Sequence, residues 1–230
     1  MRDLDEVTRQ IVKRRATVPE TRCVVVGVSG IDGCGKGYIA SQLEARLALH
    51  GVTPAILNVD GWLNLPERRF NQSDPAENFY QNAIRFDQFF MDLIMPLRER
   101  RSIHLIADFT EETASQYRKH TYNFTAVSVI VVEGIFLFKR QYRTHFDLAI
   151  WIDCSFPTAL ARAIDRAQEG LSPAKTIAAY ETIYFPAQRI HLSRDNPREN
   201  ADLIFENDCY PSATRAFSSK ASAQFSHRLR

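Results

Sequence analysis

The stretch V-V-V-G-V-S-G-I-D-G-C-G-K-G, running from Val24 to Gly37, decides the fold. An apolar, β-branched run of strand length ends in a glycine-rich loop with one lysine, and a helical pattern follows. The loop comprises Gly30, Ile31, Asp32, Gly33, Cys34, Gly35, Lys36 and Gly37, with the spacing G-x-x-x-x-G-K-G. Such a loop wraps backbone N–H groups around nucleotide phosphates and directs its lysine at the outer ones. The chain is therefore expected to bind ATP or GTP; the plainer alternative is a glycine-rich turn in an ordinary βα unit. The residue after the lysine is normally Ser or Thr, whose hydroxyl coordinates Mg²⁺, and here it is Gly37. Phosphate cradling survives that change, and one metal ligand is lost.

Working outward, Leu4, Val7, Ile11 and Val12 recur at helical spacing and predict an amphipathic helix over 3–16. Beyond the loop, Ile39, Leu43, Leu47 and Ala48 carry the period to Gly51, and Ala55 to Val59 reads as the next strand. Asp74-Pro75 starts a helix whose face (Phe79, Ala83, Phe86, Phe90, Leu93, Ile94) predicts a single element to about Arg101. Short strands are expected at 103–107, 127–132, 148–152 and 201–205, with helices at 156–169 and 173–191. The segment Asp108 to Tyr122 lacks clear periodicity and reads as a loop over a binding site or an exposed connection. Alternation of this kind predicts an α/β fold, a doubly wound, mostly parallel sheet of about five strands with helices on both faces. The expected division is an N-terminal helix at 1–20, one domain at 21–210 and a flexible tail at 211–230, rich in Ser, Ala and Arg.

Composition narrows the function. At 230 residues and 45% hydrophobic, the chain can bury a sizeable core. Its 29 basic and 27 acidic residues intermix, so no field of one sign draws in nucleic acid or an anionic membrane. No apolar run approaches a membrane span, and the expected location is cytoplasmic. The cysteines at 23, 34, 154 and 209 form no C-x-x-C pair and are expected as reduced thiols. Cys34 lies near a helix N-terminus that could lower a thiol pKa; the alternative is a small residue tolerated in a tight loop.

In doubly wound sheets ligands sit beyond the carboxyl ends of the strands, which singles out Asp60, Glu133 and Asp153. Phosphoryl transfer to a hydroxyl needs a group to accept the proton and a group to hold the metal. Asp60 suits the first task and Glu133 the second, with Asp60 also near the metal; a carboxylate capping the next turn is the competing reading for each. Arg162 and Arg166 share a helix face and could close over the transferring phosphoryl group, or be solvated and paired with Asp165 and Glu169. No guanine-reading N-K-x-D or T-K-x-D motif occurs and no second dinucleotide fingerprint follows a strand, which disfavours a GTPase and a dehydrogenase.

Taken together, Gly30 to Gly37, Asp60, Glu133-Gly134-Ile135, the helix bearing Arg162 and the segment Tyr180 to Gln188 resemble the uridine kinase family, within the group that includes pantothenate kinase and phosphoribulokinase. The resemblance covers about residues 22–208. It implies an ATP- and Mg²⁺-dependent kinase in which Lys36 and the loop hold ATP. Asp60 would be the base for a sugar hydroxyl, Glu133 would help hold Mg²⁺, and Arg162 and Arg166 would belong to a lid around 156–191. Tyr122-Asn123-Phe124 resembles the family's Tyr-Asp-Phe beside the nucleoside, which with Gln188 gives Tyr122, Phe124 and Gln188 as substrate contacts. The family continues with Thr-His-x-Arg, whereas this chain has Thr125-Ala126-Val127-Ser128, and the family's Asp is Asn123. The implied partner is a small-molecule acceptor, the 5′-hydroxyl of uridine or cytidine first. Another alcohol (a sugar, pantothenate-like or nicotinamide riboside-like) and a degenerate ATP-binding module are the alternatives, and homo-oligomerisation stays open.

Overall fold

The computed structural model describes residues 3–70, 73–167 and 170–208. The predicted tail at 211–230, Cys209 and Glu169 lie outside the described residues. A five-stranded, all-parallel sheet has the order β2-β5-β1-β6-β7, from β1 (Val24–Gly30), β2 (Pro54–Asn58), β5 (Val129–Gly134), β6 (Leu148–Asp153) and β7 (Leu203–Glu206). Every residue of β1 and β5 is buried, as a strand covered on both faces requires. The two lie side by side in register from Val24↔Val129 to Ser29↔Gly134, so the glycine-rich loop and Glu133 leave the same edge of the sheet. The doubly wound fold expected from the sequence is present.

The helix Lys36–Leu49 follows the loop directly and buries Ile39, Leu43 and Leu47; Ala48, expected on the same face, is exposed. The helix Leu4–Thr17 starts where Asp3 accepts the Glu6 N–H at 2.7 Å, and it buries Val7 and Ile11 in the same core.

Three expectations are corrected in whole or in part. The single helix from Asp74 to Arg101 is broken: Pro75–Asn82 ends, and Phe86–Gln88, Phe89–Ile94 and Met95–Arg100 follow. Between them Arg85 N–H donates to the Trp62 carbonyl at 2.8 Å and Asn64 N–H to the Ala83 carbonyl at 2.9 Å, a tertiary pairing that helical periodicity cannot see. Phe89–Ile94 is a π-helical turn that ends with Met95 N–H on the Phe90 carbonyl, just before Pro96. Tyr180–Tyr184 repeats the arrangement before Pro186. Proline lacks an N–H and crowds the preceding turn, and in both places the wider turn absorbs it.

The loop expected at 108–122 is confined to residues 110–117, and the ends of the segment belong to strands. β3 (Ile103–Phe109) and β4 (Arg118–Phe124) form a separate antiparallel pair outside the main sheet. Charged residues mask its alternation: Lys119, Thr121 and Asn123 are exposed, whereas His120, Tyr122 and Phe124 are partly or fully buried. The helix expected at 156–169 stops at Arg166, where Ala167 takes a left-handed conformation with φ 44°.

Candidate active site

The loop geometry is that of an anion cradle. Gly33 and Gly35 have φ of 77° and 97°, which glycine adopts without a Cβ penalty. A Cβ on Gly33 would stand 2.5 Å from the Ala159 carbonyl oxygen, so sterics as well as torsion require glycine there. Gly35 caps the helix Lys36–Leu49 with no side-chain hydrogen bond, leaving the helix N-terminal N–H groups to an incoming anion. Lys36 curls back to donate to the Ile31 carbonyl at 2.9 Å and is buried. Burial works against its charge, but the Cys34 sulfur and the carboxylates of Asp32, Glu133 and Asp60 outweigh it and hold the ammonium above the ordinary lysine value.

A cavity of about 540 Å³ opens from this loop. Asp32, Lys36, Asp60 and Arg166 line it as charged groups; Tyr122, Phe124, His120, Phe109, Phe79 and Tyr184 supply aromatic wall; Arg69 and Gln188 add polar groups. Asp60 opens into the cavity from the 3₁₀ turn Val59–Trp62 after β2. Protein still crowds it, so desolvation raises its carboxyl above the usual range, against the pull of Lys36 and helped by Asp32. Glu133, buried at the end of β5, is pushed up to about 7, by desolvation first and the Asp60 charge second. Both carboxyls are thus raised, and a cation beside them would favour their charged forms. An ideal Cβ on Gly37 would lie 3.6 Å from Glu133 Oε1, so Glu133 faces the position where such loops normally carry a hydroxyl. The cradle, Lys36 and this carboxylate pair fit a nucleotide triphosphate with Mg²⁺.

The arginines divide. Arg166 lines the cavity and approaches Asp32 Oδ1 at 3.9 Å. Arg162 turns to the back of the loop, donating to the Cys34 carbonyl at 3.2 Å and the Asn207 carbonyl at 2.8 Å. Asn207 grips the same Cys34 carbonyl at 2.8 Å. Tyr122, Phe124 and Gln188 reach the cavity, and Gln188 is 1% exposed with neither amide atom hydrogen-bonded. Asp153 is not part of the cavity wall; it accepts from Trp151 and Arg198. Cys34 is fully buried, and burial pushes its thiol up, which fits the small-residue reading and not an activated thiol. Asn123 lies on the exposed face of β4, away from the cavity.

Sequence reasoning missed Arg69, His120 and Tyr184. Arg69 is buried and donates to the Glu112 carbonyl, and nothing in the run Glu67-Arg68-Arg69 marks it out in the sequence. For His120 the signal was present, since His120, Tyr122 and Phe124 alternate at a strand period.

Among the described residues no helix is long and apolar enough to cross a membrane. A uridine kinase from Yersinia enterocolitica is 24% identical over 172 residues, 72% of this chain and 79% of that protein. Among solved structures, one described as "a Possible Uridine Kinase" from Bacillus stearothermophilus superposes with a TM-score of 0.70 at 19% identity, covering 88% of this chain and 96% of that one. The D-glycerate 3-kinase of Cryptococcus neoformans superposes at 0.60 and 13% identity, covering 81% and 87%. Likeness at these identities concerns the fold. A sequence profile of the Phosphoribulokinase / Uridine kinase family matches residues 25–206, which takes in the loop, both carboxylates and the arginine helix, and the chain belongs to that family of kinases.

Proposed function

We propose that the protein is an ATP-dependent kinase that transfers the γ-phosphoryl group to a hydroxyl of a small metabolite, the 5′-hydroxyl of uridine or cytidine in the first place. The observation that carries this reading is the single cavity that Lys36, Asp60 and an aromatic wall share. Lys36 and the loop backbone hold the outer phosphates. Asp60 accepts the hydroxyl proton, a task that needs a carboxylate within reach of the acceptor. Glu133, with Asp60 beside it, is the group to hold Mg²⁺, which when bound neutralises charge between the outer phosphates. Arg166 closes on the transferring group from a lid around 156–191, while Arg162 fixes the loop from behind. Tyr122, Phe124 and Gln188 contact the acceptor, and ring faces of this kind suit a flat heteroaromatic base.

A second reading keeps the kinase and changes the acceptor. Thr125 to Ser128 stand where the uridine kinase motif has Thr-His-x-Arg, and none of them lines the cavity. Ser128 is instead spent on Thr53, with its hydroxyl accepting the Thr53 N–H at 2.9 Å. That observation favours a sugar, pantothenate-like or nicotinamide riboside-like alcohol.

The test is ADP formation from ATP and Mg²⁺ against uridine, cytidine, other nucleosides, pantothenate and simple sugars. Turnover with uridine or cytidine alone supports the first reading, and turnover with another alcohol moves the acceptor. ATP binding without turnover on any acceptor would overturn the kinase reading in favour of a binding module.

A further inference from the structure

Asp32 is an acid inside a loop built to hold anions, and its charge needs a reason. Its Oδ1 accepts the Gly33 N–H at 2.9 Å, and its other oxygen accepts the Tyr180 hydroxyl. Arg166 Nη2 stands 3.9 Å from Oδ1. Tyr180 is 1% exposed and opens the π turn of the second lid segment; Arg166 is the last residue of the helix Phe156–Arg166, the first. Two separate pieces of chain therefore converge on one carboxylate of the phosphate loop. Asp32 and Arg166 also line the same cavity as Lys36 and Asp60.

We infer that Asp32 is a positioning residue, whose carboxylate docks both lid segments on the phosphate loop and holds the Arg166 guanidinium at the point of transfer. This rests on the proposed kinase reading, in which Arg166 meets the transferring phosphoryl group. The contact suits a handover. At 3.9 Å, with both side chains partly open to solvent, the pair orients Arg166 without locking it. An incoming phosphate, carrying more charge and more acceptor atoms than a carboxylate, takes the guanidinium as a charge-assisted partner. Tyr180 keeps Asp32 in place while that happens. The loop thus carries its own guide for the lid, at the cost of a negative charge near the nucleotide.

The test is a double-mutant cycle on the full chain with Asp32→Asn, Arg166→Ala and the combination. Affinity for a non-hydrolysable ATP analogue with Mg²⁺ is read by calorimetry, and kcat and KM by ADP formation. Arg166→Ala alone should weaken analogue binding on the order of tenfold, and much less in the Asp32→Asn background, where Arg166 is already unplaced. The kcat of Asp32→Asn should fall toward that of Arg166→Ala while the acceptor KM moves little. Tyr180→Phe, which removes only the hydroxyl, should lower kcat in the same direction by less. Additive losses in the cycle, or an unchanged kcat in Asp32→Asn, overturn the inference. A non-additive binding cycle with no turnover on any acceptor would leave it standing and sink the kinase reading, so the two failures are distinguishable.

Discussion

The two edges of the central sheet treat their carboxylates in opposite ways. At the amino edge, Asp147 before β6 receives both Nη atoms of Arg22 at 2.9 Å and the Val25 N–H at 2.9 Å. Burial works against its charge, but these partners outweigh it and hold the carboxyl below the usual range. At the carboxyl edge, Glu133 faces the charge of Asp60, no arginine among the described residues is hydrogen-bonded to either, and both are raised, desolvation first. The fold completes one edge internally and leaves the other incomplete. A group whose environment penalises its working charge is poised for a partner brought from outside, and in the proposed reading that partner is a cation with its nucleotide.

Substitution at each edge should break the comparison cleanly. Asp60→Asn is expected to lower kcat by about 10²- to 10⁴-fold while ATP binding persists, because a positioned base is lost and the cradle is not. The same change removes the charge that pushes Glu133 up, so the unfolding midpoint at neutral pH should hold or rise. Asp147→Asn should do the reverse. It breaks a two-point ion pair only 14% and 21% exposed, at a cost of about 2–3 kcal/mol, or roughly 5–10 °C in Tm for a chain of this size. Turnover should stay near the parent value below the transition. Thermal unfolding and steady-state rates measured on both variants decide the matter; an Asp60→Asn enzyme with a near-normal rate would remove Asp60 from the role of base.

The pH dependence of stability sharpens the same contrast. For a carboxyl raised on folding, the folded state binds more protons, so its stabilising contribution is complete below the ordinary carboxylate value and is lost as pH rises through the raised one. Glu133, at about 7, and Asp60 should therefore cost the ligand-free protein stability between about pH 5 and pH 8. Asp147, lowered on folding, contributes fully throughout that window and loses its effect only in acid. Buried His191, held neutral chiefly by desolvation, pulls the other way below its ordinary value. The readout is accordingly the difference between parent and Asp60→Asn. The parent midpoint should fall relative to the variant as pH rises, and parallel curves would mean the two carboxyl groups do not interact.

Legibility in the sequence follows the same division. The strands Val24–Gly30 and Val129–Gly134 announce themselves because full burial leaves no polar alternation to confuse the pattern. Asp60 and Glu133 were legible because strand ends in such a sheet are where ligands go. Of the separate pair, β3 was legible at 103–107 and β4 was not, since Arg118 and Lys119 sit on it and the pair Lys119–Asp108 at 2.7 Å looks, in sequence, like scattered surface charge. Arg69 was hidden for a related reason: its partner is a backbone carbonyl 43 residues away, which no local pattern records. The break at 83–85 likewise depends on Trp62 and Asn64, and a helix period carries no information about a distant strand-like partner.

Gly37 offers the smallest and most specific change at the incomplete edge. Its position, second in the helix Lys36–Leu49, admits a side chain: among the described residues outside that helix, an added Cβ meets only Glu133 Oε1 within 4 Å, at an ordinary contact distance of 3.6 Å. Gly37→Ser should therefore be accommodated, and by helix propensity alone it should stabilise by about 0.5 kcal/mol, roughly 1–2 °C in Tm. Its hydroxyl would stand beside Glu133, where metal-binding loops of this class carry one. The Mg²⁺ concentration giving half-maximal rate should then fall by a few-fold, while kcat at saturating Mg²⁺ changes little, since the base and the cradle are untouched. A raised Tm with an unchanged Mg²⁺ requirement would separate the two effects. It would mean that the added hydroxyl fits but that Glu133, with water, already completes what the metal needs, as Mg²⁺ with its retained waters permits.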